Sequence, residues 1–306
     1  MRGSDGQVRA FLNACRHRGA QLLSEASGNT RVITCPYHSW SYRQDGCLVG
    51  MPGKEGFCDH QTEALSLVSF PCAERYGLIW VQLSVKPAGE AEPAWDAWFA
   101  AVDEELSELD IGSHYVYSAR DVVIDANWKA VNDAFMGGYH FRFVHKNSVA
   151  PIYCDNQGVF MPQGAHYRYF LAHRKMLAQA DIPREQRRLR ENCLMVYQLF
   201  PATSVQVLPD HLFIHTLLPL GVDKSIIRNV MLVPQAPETD KEHRHWKTNK
   251  DMVQKALDED HQAAEGVQRG LAGGANADLL FGRYEQGLVH MHDHFNQALA
   301  GVLKVT

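Results

Sequence analysis

Apolar and polar residues alternate in short runs along the first part of the chain, and the pattern predicts strands. Val8 to Leu12, Arg31 to Thr34, Ser41 to Arg43 and Gly77 to Leu83 each read as a strand, the third running into an Asp45-Gly46 turn. Val85 to Pro93 carries Pro87, Gly89, Pro93 and two acids, which is linker chemistry. It sets an expected boundary between a unit over 1–92 and one over 93–306. Past it, Trp95, Trp98, Phe99, Val102 and Leu106 recur at helical spacing and predict one amphipathic helix over Trp95 to Leu109. Strand patterns return over Val116 to Ile124, Val159 to Leu171, Leu194 to Leu220 and Ile226 to Pro234. Lys241 to Leu271 reads as a long helix broken once, with Gly273-Gly274 as its C-cap, and Tyr284 to Leu303 as a last helix. Strands followed by helices, without regular βαβ alternation, predict an α+β second unit behind a small all-β first one. No internal repeat or low-complexity segment interrupts this order.

Composition narrows the function classes. The 306 residues are 45% hydrophobic and 21% charged, with a net charge of −5. Nothing in that balance favours nucleic acid or an anionic membrane as a partner. No apolar run approaches the ~18 residues of a membrane span. Met1 to Gln7 is polar and no apolar stretch of a signal peptide follows, so a cytoplasmic protein is expected. The seven cysteines are odd in number and lack framework spacing, which suits a reducing compartment. Sixteen histidines are many, and they prompt a search for metal sites.

The sharpest motif is Cys15-Arg16-His17, then seventeen intervening residues, then Cys35-Pro36-Tyr37-His38. Each of two short loops offers one thiolate and one imidazole. Such a donor set suits tetrahedral zinc or an iron–sulfur cluster. Zinc fingers pair Cys with Cys and His with His in sequence, whereas here each loop is mixed. That favours a Rieske-type [2Fe-2S] centre, in which two Cys hold one iron and two His the other.

These residues, with Arg18-Gly19, Ser39-Trp40-Ser41-Tyr42 and Asp45-Gly46, resemble the Rieske domain of Rieske non-haem iron oxygenases, the large (alpha) subunits of aromatic-ring-hydroxylating enzymes. Family members usually carry Gly where this chain has Ser39, and several strands precede the first loop, so the resemblance implies an N-terminally truncated Rieske domain over 1–92. It further implies a helix-grip (START-like) α+β catalytic domain with a mononuclear iron over 93–306.

A second metal site is expected from His140 and His145. Five residues apart, they converge only where a helix ends or bends. On its own the pair is weak. Its setting, Asn127-Trp128-Lys129 and then Tyr139-His140, resembles the family's iron-binding helix. By the same resemblance the third ligand lies in Glu259-Asp260-His261-Gln262, and Asp260 matches it. Asp258, Glu259 and His261 are local rivals, and Glu265 reads as structural. Two His and one carboxylate would form a facial triad for Fe(II), leaving positions for O2. Family members also place an acid three residues before the first His to bridge to a neighbouring subunit's cluster. Here that position is Gly137. Asp133 lies seven residues before His140 and would share its face if the helix ran straight, so Asp133 is either the catalytic acid that orients His140 and takes over part of the bridge, or a support of the helix with water filling the gap at Gly137. Phe141, Phe143, Phe160, Tyr167, Tyr169, Phe200 and Phe213 are candidate pocket aromatics or ordinary core.

The resemblance thus implies a mono- or dioxygenase acting on an aromatic or other apolar small molecule, as in aromatic hydrocarbon catabolism. NAD(P)H would serve it indirectly, through a ferredoxin and/or flavin reductase, and it would assemble as a homotrimer or α3β3. The rival expectations are a Rieske electron carrier fused to an inactive ligand-binding domain, or a monooxygenase or demethylase of the same family.

Overall fold

The computed structural model describes residues 1–57, 62–83, 93–274, 276 and 278–303. The expected linker over 85–93 lies, apart from Pro93, outside the described residues. Two compact units are present, Met1–Asp96 and Ala97–Thr306.

Ser41 to Arg43 forms a strand over its whole sequence pattern, and the other three expected strands of the first unit are shorter than theirs. The strands of the unit are Ala10–Phe11 (β1), Val32–Thr34 (β2), Ser41–Arg43 (β3), Leu48–Gly50 (β4), Ser69–Phe70 (β5), Cys72–Arg75 (β6) and Leu78–Val81 (β7). β1 pairs with β5, β2-β3-β4 form an antiparallel sheet, and β6-β7 is a hairpin. Tyr76 and Gly77 turn that hairpin at φ 56° and 73°. Two left-handed residues in a row give a turn whose twist matches the flanking strands. The core of the unit gathers Leu22, Ile33, Trp40, Tyr42 and Leu67 around Cys15 and Cys35.

Trp95–Phe99 (α1), which spans the boundary, and Asp103–Glu108 (α2) come next, two helices where one was expected. Val102 leaves helical geometry at φ −126° and ψ 0°. The break lets Phe99, Val102 and Leu106 all turn inward. Next come Tyr115–Ile124 (β8), Trp128–Phe135 (α3), Phe141–Val144 (α4), Tyr153–Gln163 (β9), His166–His173 (β10), Leu189–Asn192 (α5), Cys193–Leu199 (β11), Thr203–Val207 (β12), Leu212–Pro219 (β13), Ser225–Val233 (β14), Asp240–Ala272 (α6) and Gln286–Leu299 (α7).

The sheet order is β8-β14-β13-β12-β11-β10-β9, with antiparallel pairing throughout. β9 to β14 are a simple meander, and β8 attaches beyond β14. The chain between β8 and β9 must therefore cross the whole sheet, six strand spacings or about 29 Å. That crossing carries α3 and α4. α6 packs against the same segment: Val131 of α3 and Ala264 of α6 share a core with Leu217 and Ile227. Phe135, Val253 and Leu257 cover Phe213 and Met231. So topology brings the His140–His145 stretch and the acids of α6 onto one face of the sheet.

α6 runs unbroken for 33 residues, against the expected single break. It contains no proline, and Val253, Leu257, Asp260, His261 and Ala264 keep one face buried along it. Thr239 and Glu242 close a reciprocal capping box at its start, and Gly274, at φ 68°, follows its end. Among the described residues, no helix is long and apolar enough to cross a membrane.

Candidate metal centres

The two loops of the first unit fold alike despite their different spacing. In one, Gly19 N–H donates to the Cys15 carbonyl at 2.9 Å and Cys15 N–H to the Ala20 carbonyl at 2.8 Å. In the other, Ser39 N–H donates to the Cys35 carbonyl at 3.0 Å and Cys35 N–H to the Trp40 carbonyl at 2.8 Å. Gly19 and Ser39 occupy the same left-handed position, at φ 75° and 57°. Glycine is free there and serine is strained. Ser39→Gly is therefore expected to stabilise the loop by about 0.5–1 kcal/mol. Denaturant unfolding followed by loss of visible absorbance measures this, and an unchanged midpoint contradicts it.

The donors of the mixed loops sort by element. The Cys15 and Cys35 thiols are buried in the same core cluster. The His17 and His38 rings meet edge to face, with centroids 4.7 Å apart. His17 stacks on Trp40 at 4.8 Å, and its buried Nδ1 has no hydrogen-bond partner in the protein. Burial raises the Cys35 pKa, but the backbone N–H groups of Tyr37 and His38 and the Cys15 thiol bring it below its ordinary value. Tyr42 Oη accepts from Arg16 N–H at 3.0 Å, so its proton is free for Cys15 Sγ at 3.3 Å. Burial and that sulfur both hold the Tyr42 phenol protonated.

Among the described residues, the only His, Cys, Asp or Glu donors gathered three or more within 4.8 Å are His140, His145 and Asp260. A sulfur pair beside an imidazole pair suits two irons.

The His140–His145–Asp260 group suits one ion. α3 stops at Phe135, Met136 is extended, and Gly137 sits at φ 86°. α4 then lifts His140 at its N-terminus and His145 at its C-terminus toward each other. Their Nε2 atoms are 3.1 Å apart. Asp260 Oδ1 lies 2.9 Å from His145 Nε2 and 3.4 Å from His140 Nε2. That oxygen is buried and otherwise unpaired. The far nitrogen of His145, Nδ1, meets Glu259 Oε2 at 2.7 Å, and Ser148 Oγ donates to the same oxygen at 2.6 Å. Burial works to lower the His145 pKa, yet Asp260 and Glu259 together hold it above its ordinary value. Three donors converge on one point, and a carboxylate fixes the imidazole behind them. Glu259 therefore touches the back of His145 and not the ion position. Sequence spacing alone did not separate it from Asp260.

The expected role of Asp133 toward His140 rests on a straight helix, and the break at Met136–Gly137 removes that premise. The Asp133 carboxylate instead grips His292 of α7, its two oxygens 3.1 and 2.9 Å from Nε2. Asp133 raises the His292 pKa. A histidine whose folded pKa is raised stabilises the fold below its unfolded pKa of about 6.5, and that contribution fades as pH rises through the folded value. Asp133→Asn is thus expected to lower the melting temperature clearly near pH 6 and little above about pH 8. A deficit of equal size at both pH values contradicts this. Gly137 faces open space, so the strained φ, not crowding, disfavours an acid there.

Of the seven candidate aromatics, only Tyr167 and Tyr169 line the cavity between α3, α7 and the sheet, beside Phe135 and Leu288. Phe143 is 66% exposed, because α4 turns it outward. Phe141, Phe200 and Phe213 are core.

Residues 1–71 match the Rieske [2Fe-2S] domain family, and residues 108–301 match the ring hydroxylating alpha subunit (catalytic domain) family. The chain belongs to that ring-hydroxylating alpha-subunit family. The glycine betaine monooxygenase oxygenase subunit of Chromohalobacter salexigens is 25% identical over 98% of this chain and 74% of its own length. The anthranilate 1,2-dioxygenase large subunit of Acinetobacter baylyi is 31% identical over 49% of this chain, and the match spans 32% of that relative. Among solved structures, a quaternary ammonium Rieske monooxygenase shares the fold with a TM-score of 0.78 at 20% identity, over 99% of this chain and 81% of the other. Naphthalene 1,2-dioxygenase from Rhodococcus sp. does so with a TM-score of 0.65 at 24% identity, over 89% and 71%. As a Rieske oxygenase alpha subunit the protein uses a [2Fe-2S] cluster and a mononuclear iron.

Proposed function

We propose that Cys15, Cys35, His17 and His38 hold the cluster, that His140, His145 and Asp260 hold the mononuclear iron, and that the chain hydroxylates an aromatic or other apolar small molecule. The convergence of His140, His145 and Asp260 within 4.8 Å carries this reading. When bound, Fe(II) on two imidazoles and one carboxylate keeps positions for dioxygen, and the cluster supplies electrons singly.

The protein's own part is positional. Glu259 and Ser148 hold the His145 ring, which is 2% exposed, while His140 stays 24% exposed. The Tyr42 hydroxyl faces the Cys15 sulfur and fixes the environment of the thiolate pair. Dioxygen is the co-substrate. The electron donors in this reading are a ferredoxin and/or flavin reductase drawing on NAD(P)H, and the assembly is a homotrimer or α3β3.

Anaerobic purification, iron and acid-labile sulfide assay, and EPR of the dithionite-reduced protein test the proposal. Three irons and two sulfides per chain are expected, with a Rieske signal. Two irons would make the chain an electron carrier, and a protein without sulfide would return the loops to zinc.

A further inference from the structure

On the cavity face of the large sheet, β9 carries no side chain at one place. β9 and β10 pair Gly158 with Leu171 and Phe160 with Tyr169, so Gly158 shares a face with the cavity residues Leu171, Tyr169 and Tyr167. Tyr169 also pairs with Val196 of β11, which lines the same cavity. The empty place is taken by Tyr169, the diagonal neighbour of Gly158. A Cβ on Gly158 would overlap the phenol Oη and Cζ and stand 2.8 Å from Cε1. The backbone gives no other reason for glycine. Gly158 has no left-handed φ, and at the irregularity beside it the positive φ, 52°, belongs to Asn156. Glycine inside a strand costs stability and marks a close approach, here that of a phenol ring.

The other neighbours of that ring are fixed. The Tyr167 hydroxyl donates to Met136 Sδ, and Tyr167 is 2% exposed. Phe160 packs on Tyr167 with ring centroids 5.3 Å apart. Leu171 belongs to a core with Phe141 and Tyr153, and Tyr169 packs against it. A phenol displaced from Gly158 therefore turns into the cavity. Phe135 of α3 and Leu288 of α7 also line that cavity, and Met136 and Gly137 border it at the break that leads the chain to His140.

We propose that Gly158 is a specificity-determining residue of the oxygenase and acts through Tyr169: by giving the phenol a place on β9, it keeps the cavity open to a two-ring apolar substrate. The inference rests on the oxygenase reading above and deepens it. A side chain at position 158 narrows the cavity from behind its wall, without itself meeting the substrate. The loss falls on the larger of two ligands that share one ring. Space for one methylene in an apolar pocket separates ligands by about 10–200-fold, and a turned phenol takes up more than that.

Calorimetric titration of the iron-loaded protein with toluene and indane tests this. The probes share a benzene ring, and indane adds two carbons that close a second ring. The parent is expected to bind both, indane the more tightly because it buries more apolar surface. Gly158→Ala should lower the indane-to-toluene affinity ratio at least about tenfold with iron content unchanged, and Gly158→Ala/Tyr169→Val, which removes the displaced ring, should restore it. An unchanged ratio in Gly158→Ala, or a parent that binds neither probe, overturns the inference. Equal loss of both affinities, not recovered in the double variant, assigns Gly158 to structure and overturns it too. If Gly158→Ala does not fold, Tyr169→Val alone decides: it should raise the ratio, and an unchanged ratio overturns the inference. Metal analysis separates the two readings: a parent lacking the mononuclear iron sinks the oxygenase proposal, whereas a fully loaded one whose ratio ignores position 158 sinks only this inference.

Discussion

Asp260→Ala is expected to leave two irons per chain in place of three and to abolish oxygenation, with the cluster absorbance intact. The expectation comes from which oxygen points where. Asp260 Oδ1 stands against both imidazole Nε2 atoms and has no other partner. Its rivals on α6 point elsewhere. Glu259 lies behind His145, at Nδ1. Asp258 has a half-exposed side chain, accepts from Gln254 Nε2 at 2.7 Å and lies 3.9 Å from His261. His261 turns toward Phe135 and the sheet. Glu259→Gln should therefore behave differently from Asp260→Ala. It keeps the three donors but loosens the His145 ring, and about 10–100-fold in iron affinity is the expected loss. Metal analysis and single-turnover oxygenation of the two variants side by side measure both effects. An Asp260→Ala protein that keeps its third iron, beside a Glu259→Ala protein that loses it, would falsify the assignment.

The cluster loops were legible because each holds its two donors, and the turn that aims them, within a few residues. C-x-H and C-x-x-H state their chemistry locally. The strained Ser39 was legible only as a departure from glycine, and its φ of 57° supplies the reason. The triad was half legible. His140 and His145 announce themselves by spacing and setting, but Asp260 stands 115 residues after His145, and only the packing of α6 on the α3–α4 crossing separates it from its neighbours. Asp133 was set on the face of His140 by counting seven residues as helix, whereas the helix stops at Phe135, and its carboxylate meets His292, 159 residues away. The break between α1 and α2 and the unbroken α6 were misjudged for a related reason: burial of particular side chains settled both, and periodicity does not report burial. The place of Tyr169 over Gly158 was invisible, since the two become neighbours only through the register of β10 on β9.

Replacing both histidines of the first unit, His17→Cys with His38→Cys, is expected to lower the reduction potential of the cluster by roughly 250 mV or more, the distance from the bottom of the Rieske range to the plant-type ferredoxins. Two neutral imidazoles replaced by two thiolates add two negative charges around the same irons, and the reduced state is penalised. The geometry permits the exchange. The rings already sit side by side at 4.7 Å, on loops whose carbonyls and N–H groups are held by the same two backbone bonds. The sulfur pair, buried in the core with Tyr42 donating toward Cys15, would be undisturbed. The pH dependence of the potential should disappear as well, because the remaining ligands carry no ring N–H to lose. Protein-film voltammetry between about pH 6 and pH 10 reads both effects, a span that brackets an imidazole whose pKa is moved by a bound metal. If the double variant assembles a cluster with the parent's potential and the parent's pH slope, His17 and His38 are not its ligands. Oxygenation should fail in the same variant with its mononuclear iron still bound, since electrons at so low a potential are no longer drawn from the donor.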